Sequence, residues 1–280
     1  MSDETPPSEV PESATAAQHP NQAELLAAFA RLAEDPAEEL AVALLIATVI
    51  DEQLDPRRVE QQMQALLGDA EAQGINDIEG VLALLRDRGF GQKPLTAVDL
   101  THSSIDWLLQ QRQGLPIVIA VVIITLARQL GMQAHGINFP GHFLLRVDDN
   151  LIDPLALAIV PAESLPVPAG GSLQQMLAKA GPLSMGFRML NNLKAYYLQL
   201  QNWPAALAAT DYQLAMMQQT DDISALVHFE RGEYRQRMGQ AEAALEEYAQ
   251  CVQLTPQPIL RGKAKSRIEG VMSELKGILH

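Results

Sequence analysis

The sequence predicts a predominantly helical α+β fold with a small antiparallel sheet, followed by an all-helical C-terminal unit. Three observations lead there. Apolar residues recur at helical spacing from Asn21 to about Gly91, a period-two stretch follows a long apolar run near the middle, and a helix-pair pattern repeats after Met189. At 280 residues and 48 % apolar content, the chain is long enough for one large domain or two ordinary ones, each with its own core.

The first 20 residues, "MSDETPPSEVPESATAAQHP", contain four acids, four prolines and no apolar run. They are expected to form a disordered tail, and they match neither a secretory signal nor a transit peptide. Four helical patterns follow: "AELLAAFARLAE", "AEELAVALLIATVIDEQL", "RRVEQQMQALLGDAEAQ" and "DIEGVLALLRDR". Asp35 before Pro36 and Asp55 before Pro56 are expected to start two of them, since a carboxylate caps first-turn amides and proline has no N–H to lose there. The acids Glu34, Asp35, Glu38 and Glu39 read as a dipole-stabilised helix start on a solvated face, not as a pair of acid catalysts.

The next helix is expected from Ser103 or Ser104, with a break around Gly114 to Pro116 and a restart as "PIVIAVVIITLARQL". That run falls short of the roughly 20 residues a bilayer requires and carries Arg128 near its end, so a fully buried helix is expected instead of a membrane span. Gly131 closes it, and "QAHGINF", "HFLLRV" and "LIDPL" alternate as strands, with Asp148 to Asn150 as a turn. Pro161 to Ser172 reads as a loop, and helices resume near Leu173.

After Met189, one helix pair carries Leu193, Tyr197, Trp203, Ala206 and Leu207, and the next carries Gly232, Gly239, Ala244, Leu245, Tyr248, Cys251 and Pro256. The second set follows the tetratricopeptide spacing: small residues where two helices cross closely, an aromatic between them, and proline after the second helix. Leu207 and Leu245 lie 38 residues apart, against a usual period of about 34, so extra residues are expected in the connection near "QQTDD". Two such repeats are fewer than the roughly three an independent solenoid needs. They must therefore dock on the first domain, on the final helix or on a partner. Trp203 and Tyr248 are expected inside the repeats, and Asn192, Lys194, Gln199 and Arg231 are expected to be exposed where a peptide groove could form.

A formal charge of −14 with no compensating basic stripe argues against a nucleic-acid partner. The single cysteine, Cys251, excludes an intramolecular disulfide framework and fits a reducing compartment, so a cytoplasmic location away from membranes is expected. No cofactor motif and no HExxH or CxxC metal signature is present, and His135 and His142 have opposite parity along the strands, so neither a cofactor nor a metal is expected. Arg112 is expected to pair with a local carboxylate or, second, to meet an anionic ligand.

His142 and Asp153 stand at the two ends of "HFLLRVDDNLID". In a catalytic pair, the carboxylate orients the imidazole and the imidazole activates an attacking group. The order "GxPxxxA…R..G", then strand, His142, strand and "DP" resembles the transglutaminase-like, papain-related core. Together with "RQGLPI", "ARQLGM" and "NFPGHFLLR", the whole chain resembles the bacterial invasion-regulator SirB family, in which that core precedes tetratricopeptide repeats. The resemblance implies a transglutaminase-like domain over 21–186 and a tetratricopeptide-type helical domain over 187–280.

The resemblance also places a nucleophilic cysteine at the start of the buried helix, where this chain has Pro116, with Ala120 as the alanine that follows. Proline forms no thioester. Cys251 occupies a repeat position that normally takes alanine, so it reads as filling between helices. The preferred expectation is a non-enzymatic protein that binds a protein or peptide partner through its helical repeats, with His142 satisfied by Asp153 and bracing the hairpin. The alternative is a hydrolase or amide-processing enzyme in which His142 and Asp153 activate water. The oligomeric state is left open.

Overall fold

The computed structural model describes residues 22–35, 38–91, 99–166, 171–217 and 222–278. The expected N-terminal tail and most of the "QQTDD" connection lie outside these residues. The architecture is the mostly helical α+β fold the sequence predicts, with a five-stranded antiparallel sheet.

The amphipathic patterns form α1 (Gln22–Glu34), α2 (Glu39–Ile50), α3 (Pro56–Ala72) and α4 (Ile78–Asp87). Asp55 caps α3 as expected, accepting from the Arg57 N–H at 3.0 Å with Pro56 in the first turn. Asp35 does not start a helix. Its N–H donates to Arg31 O at 2.8 Å at the end of α1, and α2 begins at Glu39 after Glu38. Pro36 lies outside the described residues.

Glu39 also departs from the solvated face expected of it. It is 2 % exposed and receives a two-pronged ion pair from Arg128, Nη1 to Oε2 at 2.6 Å and Nη2 to Oε1 at 3.0 Å. Charge near a helix start is legible in a sequence, but its partner is 89 residues away.

α5 (Ile105–Gln111) follows a 3-10 turn at Leu100–Ser103 and is capped by the Ser104 hydroxyl. Arg112 then adopts a left-handed conformation (φ 62°), and the chain bends by 84° into α6 (Pro116–Gln129). Every residue from Ile117 to Ala127 in α6 is buried, and the one hydroxyl among them, Thr125, donates to Val121 O at 2.8 Å. Among the described residues no single helix is long and apolar enough to cross a bilayer.

The sheet order is β4 (Ala158–Ile159), β3 (Asn150–Asp153), β2 (Leu144–Val147), β1 (Ala134–Ile137), β5 (Lys179–Ala180), all antiparallel. Asp148 and Asp149 turn the β2–β3 hairpin, Asp148 with φ 49°, and the register sets Leu145 opposite Ile152. Alternation divides the sheet as period two requires. Leu145, Val147 and Ile152 join the main core with α6, while Leu144 and Leu151 join Ile137 and Phe139 in a second cluster, against Val160, Leu165 and the short α7 (Leu173–Met176).

The C-terminal part consists of α8 (Pro182–Gln199), α9 (Trp203–Ala215), α10 (Asp222–Arg237), α11 (Ala241–Leu254) and α12 (Pro258–Ile278), each packed on the next. It docks in two of the ways foreseen: α8 and α9 lie on α2 and α1, and α12 covers α11. Residue 186, the expected end of the first domain, falls within α8. A Cβ on Gly186 would lie 2.5 Å from Val42 Cγ1, so α8 and α2 touch at backbone range, and Met185, Met189, Leu190 and Leu193 enter the main core.

The close crossing inferred at Gly232 is present: a Cβ there would sit 2.4 Å from the ring of Tyr248, which is fully buried. Cys251 is fully buried among small residues, and burial pushes its thiol up to about 11. Trp203 is half-buried, stacked on Tyr234 with ring centroids 6.3 Å apart.

Lys194 and Arg231, expected to be exposed, are 5 % and 8 % exposed. Lys194 Nζ donates to Gln213 Oε1 (3.1 Å) and Glu230 Oε2 (2.5 Å). Arg231 bonds Glu247 Oε1 (2.8 Å), Thr210 and Asp211. Polar residues at helical spacing fit a solvated face and an inter-helix ion-pair layer equally well, and only packing separates the two. Burial opposes charge on Glu247, yet the hydrogen bond from His228 and the Arg231 guanidinium outweigh it and hold the carboxyl at about 2, below its ordinary 4.5.

Two outcomes follow from this packing. Glu39→Ala leaves the Arg128 guanidinium without its carboxylate and lowers unfolding free energy in urea by about 3 kcal/mol or more. Because the folded-state pKa of Glu247 lies below its unfolded value, its stabilisation is complete above about pH 4.5 and disappears as pH falls towards 2. Thermal melts should therefore show a smaller acid-induced drop in Glu247→Gln than in the wild type, the two curves converging near pH 2.

Candidate functional site

The start of α6 forms one wall of a pocket of about 370 Å³. Gly114 makes this wall possible, because a Cβ there would meet Leu108 Cδ1 at 3.2 Å and His102 O at 3.4 Å. The Leu115 N–H donates to His102 O at 2.8 Å, which turns Leu115, Pro116 and Ile117 towards the pocket. Gly141, His142 and Phe143 line it from the approach to β2, Asp153 and Leu155 from the end of β3, and Arg188 and Asn192 from α8.

His142 and Asp153 thus share one pocket with Pro116, although no hydrogen bond or ion pair joins the two among the described residues. The His142 N–H closes a turn onto Phe139 O at 3.1 Å with Gly141 at φ 76°, and His142 is exposed. The Asp153 carboxylate is engaged locally, its Oδ1 accepting from the Leu155 N–H (2.9 Å) and the Ala156 N–H (3.1 Å). The expectation that Asp153 satisfies His142 is therefore corrected. A carboxylate at a strand end followed by proline turns back onto its own backbone, as short acidic side chains do in turns.

The chain matches the profile of the Transglutaminase-like superfamily over residues 50–191, which includes α6, the sheet and the pocket's lining other than Asn192. It belongs to that superfamily. This transglutaminase-like chain is similar to curated relatives called UPF0162 protein. The relative in Xylella fastidiosa (strain 9a5c) is 29 % identical over 173 residues, 56 % of this chain and 60 % of that protein. The one in Pseudomonas aeruginosa is 31 % identical over 131 residues, 44 % of this chain and 48 % of the relative. The one in Vibrio cholerae is 26 % identical over 262 residues, 86 % of this chain and 94 % of the relative. With the first of these the match spans 60 % of the relative's length. No solved structure matches the chain.

At the helix start where the transglutaminase-like resemblance places a cysteine, the side chain facing the pocket is Pro116, which offers neither a thiol nor a hydroxyl. The transglutaminase-like pocket gets no substitute from Cys251, which is buried in a separate cluster with Ala225 and Ala264. Among the described residues no group of three or more His, Cys, Asp or Glu is placed to hold a metal. His135, half-buried in β1, has its pKa lowered by burial and by the nearby Lys179 and Arg146.

Among the described residues Arg112 does not form the expected ion pair. Its guanidinium lies over the Phe90 ring at 4.7 Å, and its buried Nη1 has no hydrogen-bond partner among the described residues. Burial, together with Arg88, lowers its pKa.

Arg188 is the pocket residue that sequence reading missed. Ser184, Arg188 and Asn191 form a polar stripe along α8 at i, i+4 and i+7 beside core residues, and that stripe was the available signal.

Introducing the missing thiol tests the placement of Pro116. Pro116→Cys should react with iodoacetamide at pH 8 at least ten times faster than the native protein, whose only thiol is Cys251. Labelling is read by mass spectrometry of the folded chain.

Proposed function

We propose that this chain is a transglutaminase-like pseudoenzyme of the SirB type, acting in the cytoplasm as a protein-binding regulatory scaffold. The observation that carries the reading is Pro116 at the pocket wall where acyl transfer requires a nucleophile. The first part of the chain, up to about residue 186, supplies a fold whose original chemistry is gone. Residues from about 187 onward supply tetratricopeptide-type hairpins for docking, with α8 serving both parts.

The docking surface is the face between α10 and α12. Ile223 (49 % exposed), Leu226 (46 %) and Ile259 (77 %) gather there with Leu260 and Lys263 around a pocket of about 360 Å³. Apolar side chains clustered on a surface mark interaction sites, and none of these three belongs to a core cluster.

Activation of water by His142 is the weaker reading, because the Asp153 carboxylate that would orient the imidazole is held by backbone amides.

The scaffold reading is tested by affinity capture from the native cell with the full chain and with Leu226→Asp/Ile259→Asp, whose substitutions sit at exposed positions. Proteins retained by the native chain should be lost from the variant, and recovery of the same set by both removes this face as the docking surface. In parallel, the native chain and His142→Ala should show the same background rate on a glutaminyl-amide substrate. A native rate abolished in the variant would restore the enzyme.

A further inference from the structure

A second cavity, of about 640 Å³, opens on the other side of Arg188. Leu183, Phe187, Met216, Met217 and Ile223 make it apolar, while Asn138, Ser184, Arg188 and Asn191 supply its polar groups. Among the described residues no acidic side chain lines it, in a chain that carries 34 acids against 20 bases.

The polar groups there are donors in want of acceptors. Arg188 is half-buried, stacked over the Phe143 ring at 5.4 Å, and its Nη1 reaches Asn138 Oδ1 and Phe139 O only at 3.5 and 3.4 Å. Its Nε and Nη2 have no partner, and no carboxylate lies within ion-pair distance, among the described residues. By contrast, Arg58, Arg128 and Arg231 each hold an acid at 2.6 Å or less. Ser184 Oγ already accepts from Asn138 Nδ2 at 2.7 Å, so its own proton is free to donate. Asn191 Oδ1 already accepts from Gln213 Nε2 at 2.8 Å, which leaves its amide N–H groups to donate.

We propose that this cavity binds the C-terminal residue of a peptide that ends in an apolar side chain, with Arg188 pairing its carboxylate. A planar guanidinium matches a carboxylate in a two-pronged geometry. The last peptide carbonyl supplies the acceptor that Ser184 and Asn191 lack, and a plain acyl carboxylate does not. The apolar side chain enters between Phe187 and the adaptable Met216 and Met217. Burial lowers the pKa of Arg188, as befits a guanidinium held without a counter-ion, and a bound carboxylate would offset that burial.

This inference shares Ile223 with the proposed docking face but is tested at Arg188 and Ser184, whereas the scaffold reading is tested at Leu226 and Ile259. Its test is calorimetric titration of the full chain with acetyl-alanyl-leucine, with the same dipeptide as its C-terminal amide, and with octanoate. The free acid should bind, and the amide should bind about 10-fold more weakly or worse. Octanoate should bind more weakly than the free acid.

Arg188→Gln, once its melt matches the native one, should lose about 10-fold or more in affinity for the free acid. Ser184→Glu changes an exposed position one turn from Arg188 and gives the guanidinium an internal carboxylate, so it should weaken binding comparably. The proposal is overturned if the free acid shows no binding at millimolar concentration, if the amide binds equally well, if octanoate binds more tightly, or if Ser184→Glu leaves affinity unchanged.

Discussion

The Arg128–Glu39 pair, its carboxylate buried and its guanidinium half-buried, is the joint around which this fold is organised. Arg128 donates to both Glu39 oxygens and, through Nε and Nη2, to Ala134 O at 3.0 and 2.9 Å. One guanidinium thereby ties α2, the end of α6 and the first residue of β1. An ion pair taken out of water adds little net stability but strongly penalises any arrangement that separates its members. It therefore fixes how far α6 slides against α2 and where the sheet begins. Everything at the opposite end of α6, including the pocket at Pro116, inherits that register.

α6 could not hold its place by an amphipathic stripe, since its buried residues cover all sides of the helix. Neighbours enclose it all round: α2, α3 and α4, the sheet, and α8. This explains why helices beyond residue 187 share the main core. The C-terminal helices are specified differently, by close crossings at small residues and by a layer of ion pairs. Gly232 admits the Tyr248 ring, and Arg231 with Glu247, and Lys194 with Glu230, orient α8 to α11. Such a layer selects one packing among several that apolar contacts alone would permit.

Asn192 aside, the pocket at the start of α6 lies in the part of the chain that matches the Transglutaminase-like superfamily. Proline suits the first turn of a helix because it has no N–H to leave unpaired, so Pro116 starts α6 while offering neither a thiol nor a hydroxyl to the pocket. The Asp153 carboxylate serves the turn at Leu155 and Ala156, not His142. Arg188 lines both this pocket and the larger one, and no acid lies within ion-pair distance of it among the described residues.

The sequence by itself determined the order of the longer helices and of β1 to β3, a turn opening at Asp148, the burial of α6 and the close crossing at Gly232; it ran the turn on to Asn150, the first residue of β3, and did not reach the two-residue strands β4 and β5. What it determined rests on short-range chemistry: periodicity, turn propensity, and the space a missing side chain leaves. Only the tertiary structure decided which charges face water. Glu39, Lys194 and Arg231 carry the same local signature as solvated residues, and their partners lie 16 to 89 positions away in the chain. The separation of His142 from Asp153 was likewise beyond sequence, because a carboxylate bonded to its own turn and one bonded to a histidine differ in a side-chain rotation that no spacing encodes.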